Sequence, residues 1–339
     1  MLNKYHSYNY GNINNILSSI LLPTLKLTHL LKFSSLIGGP KTGSTKTEKC
    51  NNLRIYLSQL MHFTKPLQIV SIDTGLVNFA WSQFLLTDEE KQPLLSQWGK
   101  LNLYRKFFNE VIPEGTKFSP LDTSYLTSQL TNFILNESKI STNILYTIER
   151  QRLRTNSSKF VTDPILNVNI LEHLLFYALK NLSPGHDTLY QNNFVISSDP
   201  GRMTNYWLAN QRFNSKDSKK LRIATAVNLL AYSQNTGNLF KIDSELSNKM
   251  LTLKENKLKS KHGILFDTLE MNQMLNGKRK DDDLVDSFLH GLSWSTWIQT
   301  YKNLLYEIDQ NGGERFPLSK WIDFSWHQHI KLLDLIKET

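Results

Sequence analysis

Five carboxylates in this 339-residue chain occupy positions from which they could bind metal ions together. Asp73 ends the apolar stretch "LQIVSID", and Glu149 ends a second apolar stretch, "NILYTIE". Farther along, Asp282, Asp283 and Asp286 open a pattern typical of a helix. A carboxylate at the end of a buried strand costs several kcal/mol unless something neutralises it, or else it takes up a proton. We therefore expect a counter-charge beside Asp73.

The spacing of the helical acids predicts that they share one side of a helix. Asp283 and Asp286 are three residues apart, and Asp282 and Asp286 are four apart, so either pair lies on one face. Two carboxylates at strand ends and two on a helix could converge on divalent metal. Oxygen ligands of this kind suit Mg²⁺ or Mn²⁺.

Each acid taken singly has a simpler explanation. An aspartate after a strand is often a turn residue, and three aspartates at a helix start are typical of helix capping. Glu149 could pair with Arg150 or Arg152. The order of a strand-end aspartate, a strand-end glutamate and a helical aspartate pair is what favours a shared site.

The segments that carry these acids predict an α/β domain with a mixed sheet flanked by helices. Three β-rich runs come first, with "VNFAWSQFLL" the antiparallel neighbour of "LQIVSID" and "SQWGKLNL" a third strand. Helix and strand then alternate. The later strands are "TNILYTIER" and "NFVISSDP", and the helices are residues 122–135, residues 164–182, "KKLRIATAVNLLAYS" and "DDDLVDSFLHGLSWSTWIQTYKNLLYEI".

The composition favours a polyanionic partner. The chain has 39 Lys and Arg against 30 Asp and Glu, a formal net charge of +9, which suits nucleic acid above all. The single cysteine, Cys50, excludes an internal disulfide framework and a cysteine-based zinc site. No apolar run is long enough to span a bilayer, so we expect no membrane partner.

The N-terminal segment differs in charge from the rest of the chain. Residues 1–47 contain no acid and five lysines, and residues 1–23 are rich in Ser, Asn and Leu. An acid-free, cationic and amphipathic start is typical of a mitochondrial targeting segment, which we predict for residues 1–23. The alternative is a disordered basic tail.

Residues 24–64 predict a small helical module. A helix over Thr24 to Phe33 is followed by a glycine-rich turn and a second helix from about Lys46, which Ser44 or Thr45 could cap. The leucines, the "GxxxxGxxK" spacing and the second helix resemble the SAP module, a DNA-binding motif. The alternative is an ordinary helical hairpin.

Three motifs carry a resemblance to a known family. "SIDTGLVNFAW", "TIERQRLRT" and "KRKDDDLVDSFLHGL", in that order, resemble the fungal mitochondrial Holliday-junction resolvases, cruciform-cutting endonucleases related to RuvC. The similarity runs from Leu67 to the region after Trp297. It implies a ribonuclease-H-like nuclease domain, here over residues 65–339, that cuts four-way DNA junctions in the mitochondrial matrix.

The resemblance also assigns roles to the acids. Asp73, Glu149 and Asp286 match the family's catalytic and metal-binding acids. The fourth falls on Asp283 or Asp282; the three-residue spacing favours Asp283, and Asp282 is nearly as good.

The chemistry that the resemblance implies is metal-dependent phosphodiester hydrolysis. Two Mg²⁺ or Mn²⁺ ions would activate the attacking water and stabilise the leaving 3′ oxygen. Gly75 and Asn78 match the family's Asp-x-Gly-x-x-Asn turn. A junction is approximately two-fold symmetric, so the resemblance implies a homodimer, with the helix at 164–182 as one candidate interface. Burial of that helix within one subunit is the alternative.

Basic and polar residues near the acids are candidates for phosphate contacts, which would make affinity fall steeply with salt. A solvated surface is the alternative for each cluster of charges. The predicted DNA-binding residues are Arg150, Gln151, Arg152, Arg154, Lys219, Lys220, Lys280 and Lys46.

Three other functions compete with the nuclease. A catalytically silent mitochondrial junction-binding or DNA-binding protein need not retain the acids, and all are present. An actin-like ATPase would need a further glycine-rich phosphate loop, and none follows. A ribonuclease-H-type nuclease on RNA–DNA hybrids keeps the acids, but the SAP-like segment and the motif wording argue against it.

Overall fold

The computed structural model describes residues 10–87, 92–108, 118–137, 143–151, 162–181, 193–209, 211, 217–255 and 263–338. The chain divides into two compact units. The helical unit takes residues 1–65 and 293–335, and the sheet unit takes residues 66–292 and 336–339. Across the described ranges, no helix has both the length and the apolar character required to cross a bilayer.

Among the described residues, six strands form one mixed sheet in the order β5-β4-β1-β2-β3-β6. Strand β1 is antiparallel to β2, and β2 to β3, whereas β1 with β4, β4 with β5 and β3 with β6 are parallel. The strands are β1 (Leu67–Asp73), β2 (Phe79–Leu86), β3 (Leu94–Leu101), β4 (Asn143–Glu149), β5 (Asn193–Ser198) and β6 (Lys241–Ile242).

Helices precede the first strand, alternate with the later strands and follow the last one. A π-helical stretch, Ile16–Leu21, joins the first two helices. The helices are α1 (Tyr10–Asn15), α2 (Leu22–Thr24), α3 (Leu27–Leu36), α4 (Lys46–Leu60), α5 (Leu103–Phe107), α6 (Pro120–Glu137), α7 (Asp163–Asn181), α8 (Pro200–Trp207), α9 (Ser218–Thr236), α10 (Ser244–Glu255), α11 (Ile264–Thr268), α12 (Gln273–Asn276), α13 (Asp282–Gln310) and α14 (Leu318–Glu338).

The sheet register brings the two strand-end acids to one edge. Ile72 of β1 pairs with Ile148 of β4 in parallel, so the next residues, Asp73 and Glu149, leave the sheet side by side. Glu149 in turn pairs with Ser198, the last residue of β5. Because parallel strands end at the same edge, their C-terminal side chains are neighbours although 76 residues separate the two acids in sequence.

Both faces of the central strands are covered, which explains why β1 and β4 are apolar without alternation. Helices α6 and α7 pack on one face through residues such as Leu130 and Leu175. On the other face, Trp98 and Phe288 rings lie 5.1 Å apart, and the Trp98 indole donates to the Leu284 carbonyl of α13. The start of α13 is thereby fixed against the sheet.

The helical unit contains both predicted N-terminal helices. Thr45 caps α4 through a capping box, since its side chain accepts from the Glu48 amide while Glu48 accepts from the Thr45 amide. Gly38 adopts φ +67°, and a side chain there would collide with the Trp297 ring. A glycine is therefore needed where the turn between α3 and α4 passes this tryptophan.

The predicted α/β class and mixed sheet are confirmed, as is the antiparallel pairing of β1 with β2. The helix predicted over residues 24–33 is observed three residues later, at Leu27–Leu36, because α2 ends at Thr24 and Leu25 is extended. The boundaries predicted for the targeting segment, the SAP-like segment and the nuclease domain stay a prediction.

Candidate active site

Three of the predicted acids meet at the sheet edge. Asp73, Glu149 and Asp286 each offer a carboxylate oxygen, and these atoms all lie within 4.8 Å of one another. Two of the groups come from adjacent strand ends and the third from the first turns of α13. Three carboxylates at such separations repel one another unless protons or cations intervene.

Burial and, to a smaller extent, repulsion raise the pKa of two of these acids, Asp73 and Asp286. Burial raises the pKa of Asp73 well above its usual range, and the charges of Glu149, Asp283 and Asp286 raise it further. Burial also raises the pKa of Asp286 to about 8, with Glu149 adding to the effect and Arg222 opposing it. Without a cation, the site therefore holds protons at neutral pH.

A buried lysine pairs with Asp283, one of the two candidates for the fourth acid. Lys100 of β3 has a fully buried side chain, and its Nζ donates to Asp283 Oδ2 at 2.8 Å. Burial raises the pKa of Asp283, while Lys100 opposes the rise. Asp283 lies close enough to Asp73 to raise its pKa, so it belongs to the same charged cluster.

Two basic residues of α9 pair with the other helical aspartates. The Arg222 guanidinium donates to Asp286 Oδ1, and Lys219 Nζ lies 2.5 Å from Asp282 Oδ2. Burial alone would raise the pKa of Asp282, but Lys219 outweighs it and the net shift is downward. Asp282 is thus ionised and paired with an exposed lysine, whereas Asp286 is paired with the mostly buried Arg222.

The residue before them has a structural role. The buried Asp281 carboxylate accepts from the backbone amides of Gly263, Leu265 and Phe266 at 3.0–3.1 Å. It therefore caps the start of α11 from the adjoining segment. The three consecutive aspartates have three different partners.

The charges present fit a divalent cation. Asp73, Glu149, Asp283 and Asp286 carry four formal negative charges, and Lys100 and Arg222 supply two positive ones, which leaves a surplus of two. Within the described residues, the buried Glu149 Oε2 has no hydrogen-bond donor. An all-oxygen donor set with surplus negative charge is what a hard divalent ion prefers.

Gln151 contacts the acids from the strand that carries Glu149. Its side-chain amide donates to Asp73 Oδ1 at 3.2 Å, and its backbone amide donates to Glu172 Oε2 on α7 at 3.0 Å. Burial raises the pKa of Glu172, and the Gln151 amide opposes the rise. The residue predicted to contact DNA is thus held against the acid cluster in this structure.

The predicted turn residues connect β1 to the segment before α13. A side chain at Gly75 would approach the Asn78 carbonyl to 2.9 Å, and Asn78 Oδ1 accepts from the Lys278 amide at 3.1 Å. Gly277, at φ +80°, passes so close to Val77 that a side chain would meet its carbonyl at 2.1 Å. The turn that follows Asp73 is therefore held against the segment that leads into α13, the helix that carries Asp286.

The remaining predicted DNA-binding residues are distributed over both units. Arg150, beside Glu149, is 64% exposed and lies 4.0 Å from Asp199. Lys219 and Lys220 are exposed on α9, Lys280 is half-buried before α13, and Lys46 of the helical unit donates to the Pro23 carbonyl. Arg152 and Arg154 lie outside the described residues.

Three residues that contact the acids, Lys100, Arg222 and His290, were not among the predicted site residues. Lys100 has no sequence signal, because the residues it binds lie 178 to 183 positions away. His290 Nε2 lies 3.4 Å from Glu149 Oε2. The sequence does carry a signal for His290, because a position four residues after Asp286 puts it on the same helix face.

Comparisons with known proteins agree with this geometry. The family model described as "Mitochondrial resolvase Ydc2 / RNA splicing MRS1" matches residues 69–304. The mitochondrial cruciform cutting endonuclease 1 of Saccharomyces cerevisiae is 35% identical over 305 residues, which is 81% of this chain and 82% of that protein. The crystal structure of the yeast mitochondrial Holliday junction resolvase Ydc2 superposes with a TM-score of 0.53 at 20% identity, over 85% of this chain and 99% of that one. The last match confirms the ribonuclease-H-like fold.

Proposed function

This chain belongs to the mitochondrial resolvase Ydc2 / RNA splicing MRS1 family, and from that premise we propose that it resolves four-way DNA junctions in mitochondria. The reaction is a paired, Mg²⁺-dependent hydrolysis of phosphodiester bonds. Membership alone leaves a choice, because the family description names both a resolvase and an RNA-splicing protein. The acid cluster of Asp73, Glu149 and Asp286 favours the resolvase, since a protein that only binds nucleic acid does not need a cluster of metal-binding acids.

Asp73, Glu149, Asp283 and Asp286 would hold the metal, Mg²⁺ or Mn²⁺, as two ions in each active site. When bound, such ions activate the attacking water and stabilise the leaving 3′ oxygen. Asp73 reaches the cluster from the end of β1 and would be one of the residues that hold these ions. Gln151 orients Asp73 by donating to its Oδ1. Lys100 holds Asp283 and the chain that leads into α13.

Asp283 is the better candidate for the fourth ligand. Its charge reaches Asp73, whereas Asp282 is ionised in an ion pair with the 46% exposed Lys219. Two single variants separate the alternatives. Asp283→Asn should lower cleavage far more than Asp282→Asn, and the reverse order would assign the ligand to Asp282.

The DNA backbone would contact basic groups around the cluster. Arg150 is mostly exposed directly after Glu149, and Lys219, Lys220 and Lys280 flank the helical acids. Lys46 extends the same proposal to the SAP-like segment. Gln151 could reach the junction centre only by leaving Asp73. Arg152 and Arg154 stay predictions from the sequence.

A homodimer would supply the two active sites that a two-fold symmetric junction needs. Helix α7 supports this proposal, because its outer face exposes Leu166, Ile170 and the 68% exposed Tyr177 at helical spacing. A charge on this stripe, in Ile170→Glu, should shift the protein toward monomer in sedimentation or light scattering. If the wild type is a dimer and the Ile170→Glu variant has the same mass, the interface does not include this stripe.

The decisive experiment compares a synthetic four-way junction, linear duplex of the same sequence and an RNA–DNA hybrid, with Mg²⁺ and then with EDTA. The proposal expects paired nicks in the junction alone, only with metal. Asp73→Asn should cut more than about 100-fold more slowly, since changes even outside the ligand shell cost 10–100-fold. Asp309→Asn, an exposed acid at the end of α13, is the matched control and should cut normally.

Other outcomes overturn the proposal. If linear duplex is cut as fast as the junction, the protein is a general nuclease. If the RNA–DNA hybrid is cut faster than the junction, it is a ribonuclease. Junction binding without cutting in Mg²⁺ and in Mn²⁺ would indicate a silent binding protein.

A further inference from the structure

We propose that His290 and Ser198 form a positioning pair that sets the orientation of the Glu149 carboxylate for metal binding. Both side chains are buried, so the pair acts through Glu149 and not directly on the substrate. The inference rests on the proposed function to the extent that it takes Glu149 as a metal ligand. It adds a role for two residues that were not among the predicted site residues.

The pair is buried and in direct contact. His290 lies on α13 one turn after Asp286, with a 2% exposed side chain, and its Nδ1 is 2.8 Å from the Ser198 hydroxyl. The other ring nitrogen, Nε2, faces Glu149 Oε2 at 3.4 Å. The imidazole thus connects the end of β5 to the end of β4.

Three elements fix this arrangement. Ser198 and Glu149 are paired in the register of β5 and β4, and the Arg150 amide donates to the Ser198 carbonyl at 3.0 Å. Helix α13 brings His290 over both strand ends, and Trp207 anchors that turn by donating to the Leu289 carbonyl at 3.3 Å. A histidine at this position has little freedom to turn elsewhere.

The hydrogen-bond chemistry selects one tautomer of His290. If Nδ1 carried the proton and donated to Ser198, the lone pair of Nε2 would face the carboxylate oxygen and repel it. If the Ser198 hydroxyl donates to Nδ1, Nε2 carries the proton and points a donor at Glu149. The carboxylate therefore favours the tautomer with the proton on Nε2, and Ser198 stabilises this tautomer by donating to Nδ1.

Both facing atoms lack a better partner within the described chain. Glu149 Oε2 and His290 Nε2 are buried, and neither makes a hydrogen bond in the present geometry. A closure of a few tenths of an ångström would satisfy both atoms. A bond to one carboxylate oxygen fixes the rotation of the group, so that its remaining lone pairs face the cluster with Asp73 and Asp286.

The test measures Mn²⁺ affinity without DNA, by the electron paramagnetic resonance signal of the free ion. His290→Leu removes the donor and keeps an apolar side chain, whereas His290→Gln puts an amide nitrogen at the position of Nε2. We expect Mn²⁺ binding about 10–100-fold weaker in the leucine variant, the usual cost of losing a group that orients a metal ligand. The glutamine variant should recover most of the loss.

Two serine variants separate orientation from stability. Ser198→Ala removes only the hydroxyl that stabilises this tautomer, so it should weaken Mn²⁺ binding by a smaller factor. Ser82→Ala is the control, because this buried hydroxyl also donates to α13, at the Ser287 carbonyl, without contacting an acid of the cluster. It should lower the melting temperature and leave Mn²⁺ affinity unchanged. Junction binding in EDTA should be the same in all four variants.

The outcomes distinguish this inference from the proposed function. If the wild-type protein binds no Mn²⁺, or Asp73→Asn binds it equally well, the metal site itself is wrong. If the wild type binds Mn²⁺ and His290→Leu and Ser198→Ala bind it as tightly, the positioning pair is wrong. A glutamine variant that folds like the wild type but binds Mn²⁺ no better than the leucine variant would also overturn it.

Discussion

Lys100 Nζ donates to Asp283 Oδ2 at 2.8 Å and to the carbonyls of Lys278 and Lys280 at 3.1 Å each. Its three hydrogens are therefore all used, in a side chain with no exposed surface. Strand β3 thereby fixes the chain just before α13, from which Asp286 and His290 extend. Lys100 is an internal counter-charge of the site and is not available to DNA.

Lys100→Met should destabilise the protein in the absence of metal. Removing one member of a buried ion pair leaves the other uncompensated, at a cost of about 3–5 kcal/mol. Urea unfolding in EDTA measures the change. The double variant Lys100→Met/Asp283→Asn should regain much of the loss, since the uncompensated carboxylate is then gone. Equal midpoints for Lys100→Met and the wild type would contradict this account.

The metal-free protein should lose stability as pH rises. The pKa of Asp286 is raised to about 8 in the folded state, and those of Asp73 and Asp283 are also raised, so the fold binds protons that the unfolded chain has released. This contribution is complete below about pH 4 and is lost as pH rises to 8. Thermal unfolding in EDTA from pH 5 to pH 8.5 measures it.

Two comparisons check that the acid cluster causes the pH effect. Asp286→Asn should flatten the curve, because the amide does not titrate. Mg²⁺ should raise the melting temperature more at pH 8 than at pH 5.5, since the metal competes with protons for the same oxygens. A wild-type stability that rises between pH 5.5 and pH 8 in EDTA would contradict the prediction.

The acid cluster could be predicted because the residues next to each acid in the sequence distinguish it from an ordinary surface acid. Asp73 and Glu149 end apolar runs, and the helical aspartates follow a basic stretch. The register between Ile72 and Ile148 was not predictable, but parallel strands of an α/β sheet end together, so the convergence could be expected. Strands β1 to β5 and helices α6, α7, α9 and α13 followed from the hydrophobic periodicity of their segments.

The supporting residues could not be predicted in the same way. Lys100 looks like an ordinary strand lysine, and its burial depends on the chain more than 170 residues later. The elements α11, α12 and β6 have five, four and two residues, too few to show a periodicity of their own. His290 shares a helix face with Asp286, but its contact with Glu149 depends on the sheet register.

Arg150→Ala should weaken junction binding and reduce its salt dependence. Each phosphate contact that is lost lowers the slope of log K against log salt by about 0.9. Binding in EDTA between 50 and 200 mM salt, about the range over which such contacts are felt, gives the slope. Lys331→Ala, an exposed lysine of α14, is the control and should leave the slope unchanged. An unaltered slope for Arg150→Ala would remove this arginine from the DNA contacts.

Deletion of residues 1–23 should unfold or strongly destabilise the helical unit, whereas deletion of residues 1–9 should not. The predicted targeting segment overlaps α1, the π-helical stretch and α2, whose side chains Leu17 and Leu22 are fully buried. Asn14 also accepts a hydrogen bond from the Tyr301 hydroxyl at 2.8 Å. Each buried leucine contributes about 1.5–3 kcal/mol, so the longer deletion exceeds what a marginally stable fold tolerates.

Near-UV circular dichroism and thermal unfolding of the two truncated proteins measure this difference, because Trp294 and Trp297 lie in the helical unit. Tyr301→Phe is the mild companion variant and should cost about 1 kcal/mol through the lost hydrogen bond. If the protein without residues 1–23 melts like the full chain, α1 and α2 are dispensable, and a targeting segment could be removed up to Pro23. If it does not, removal of a targeting segment is compatible with this fold only upstream of Tyr10.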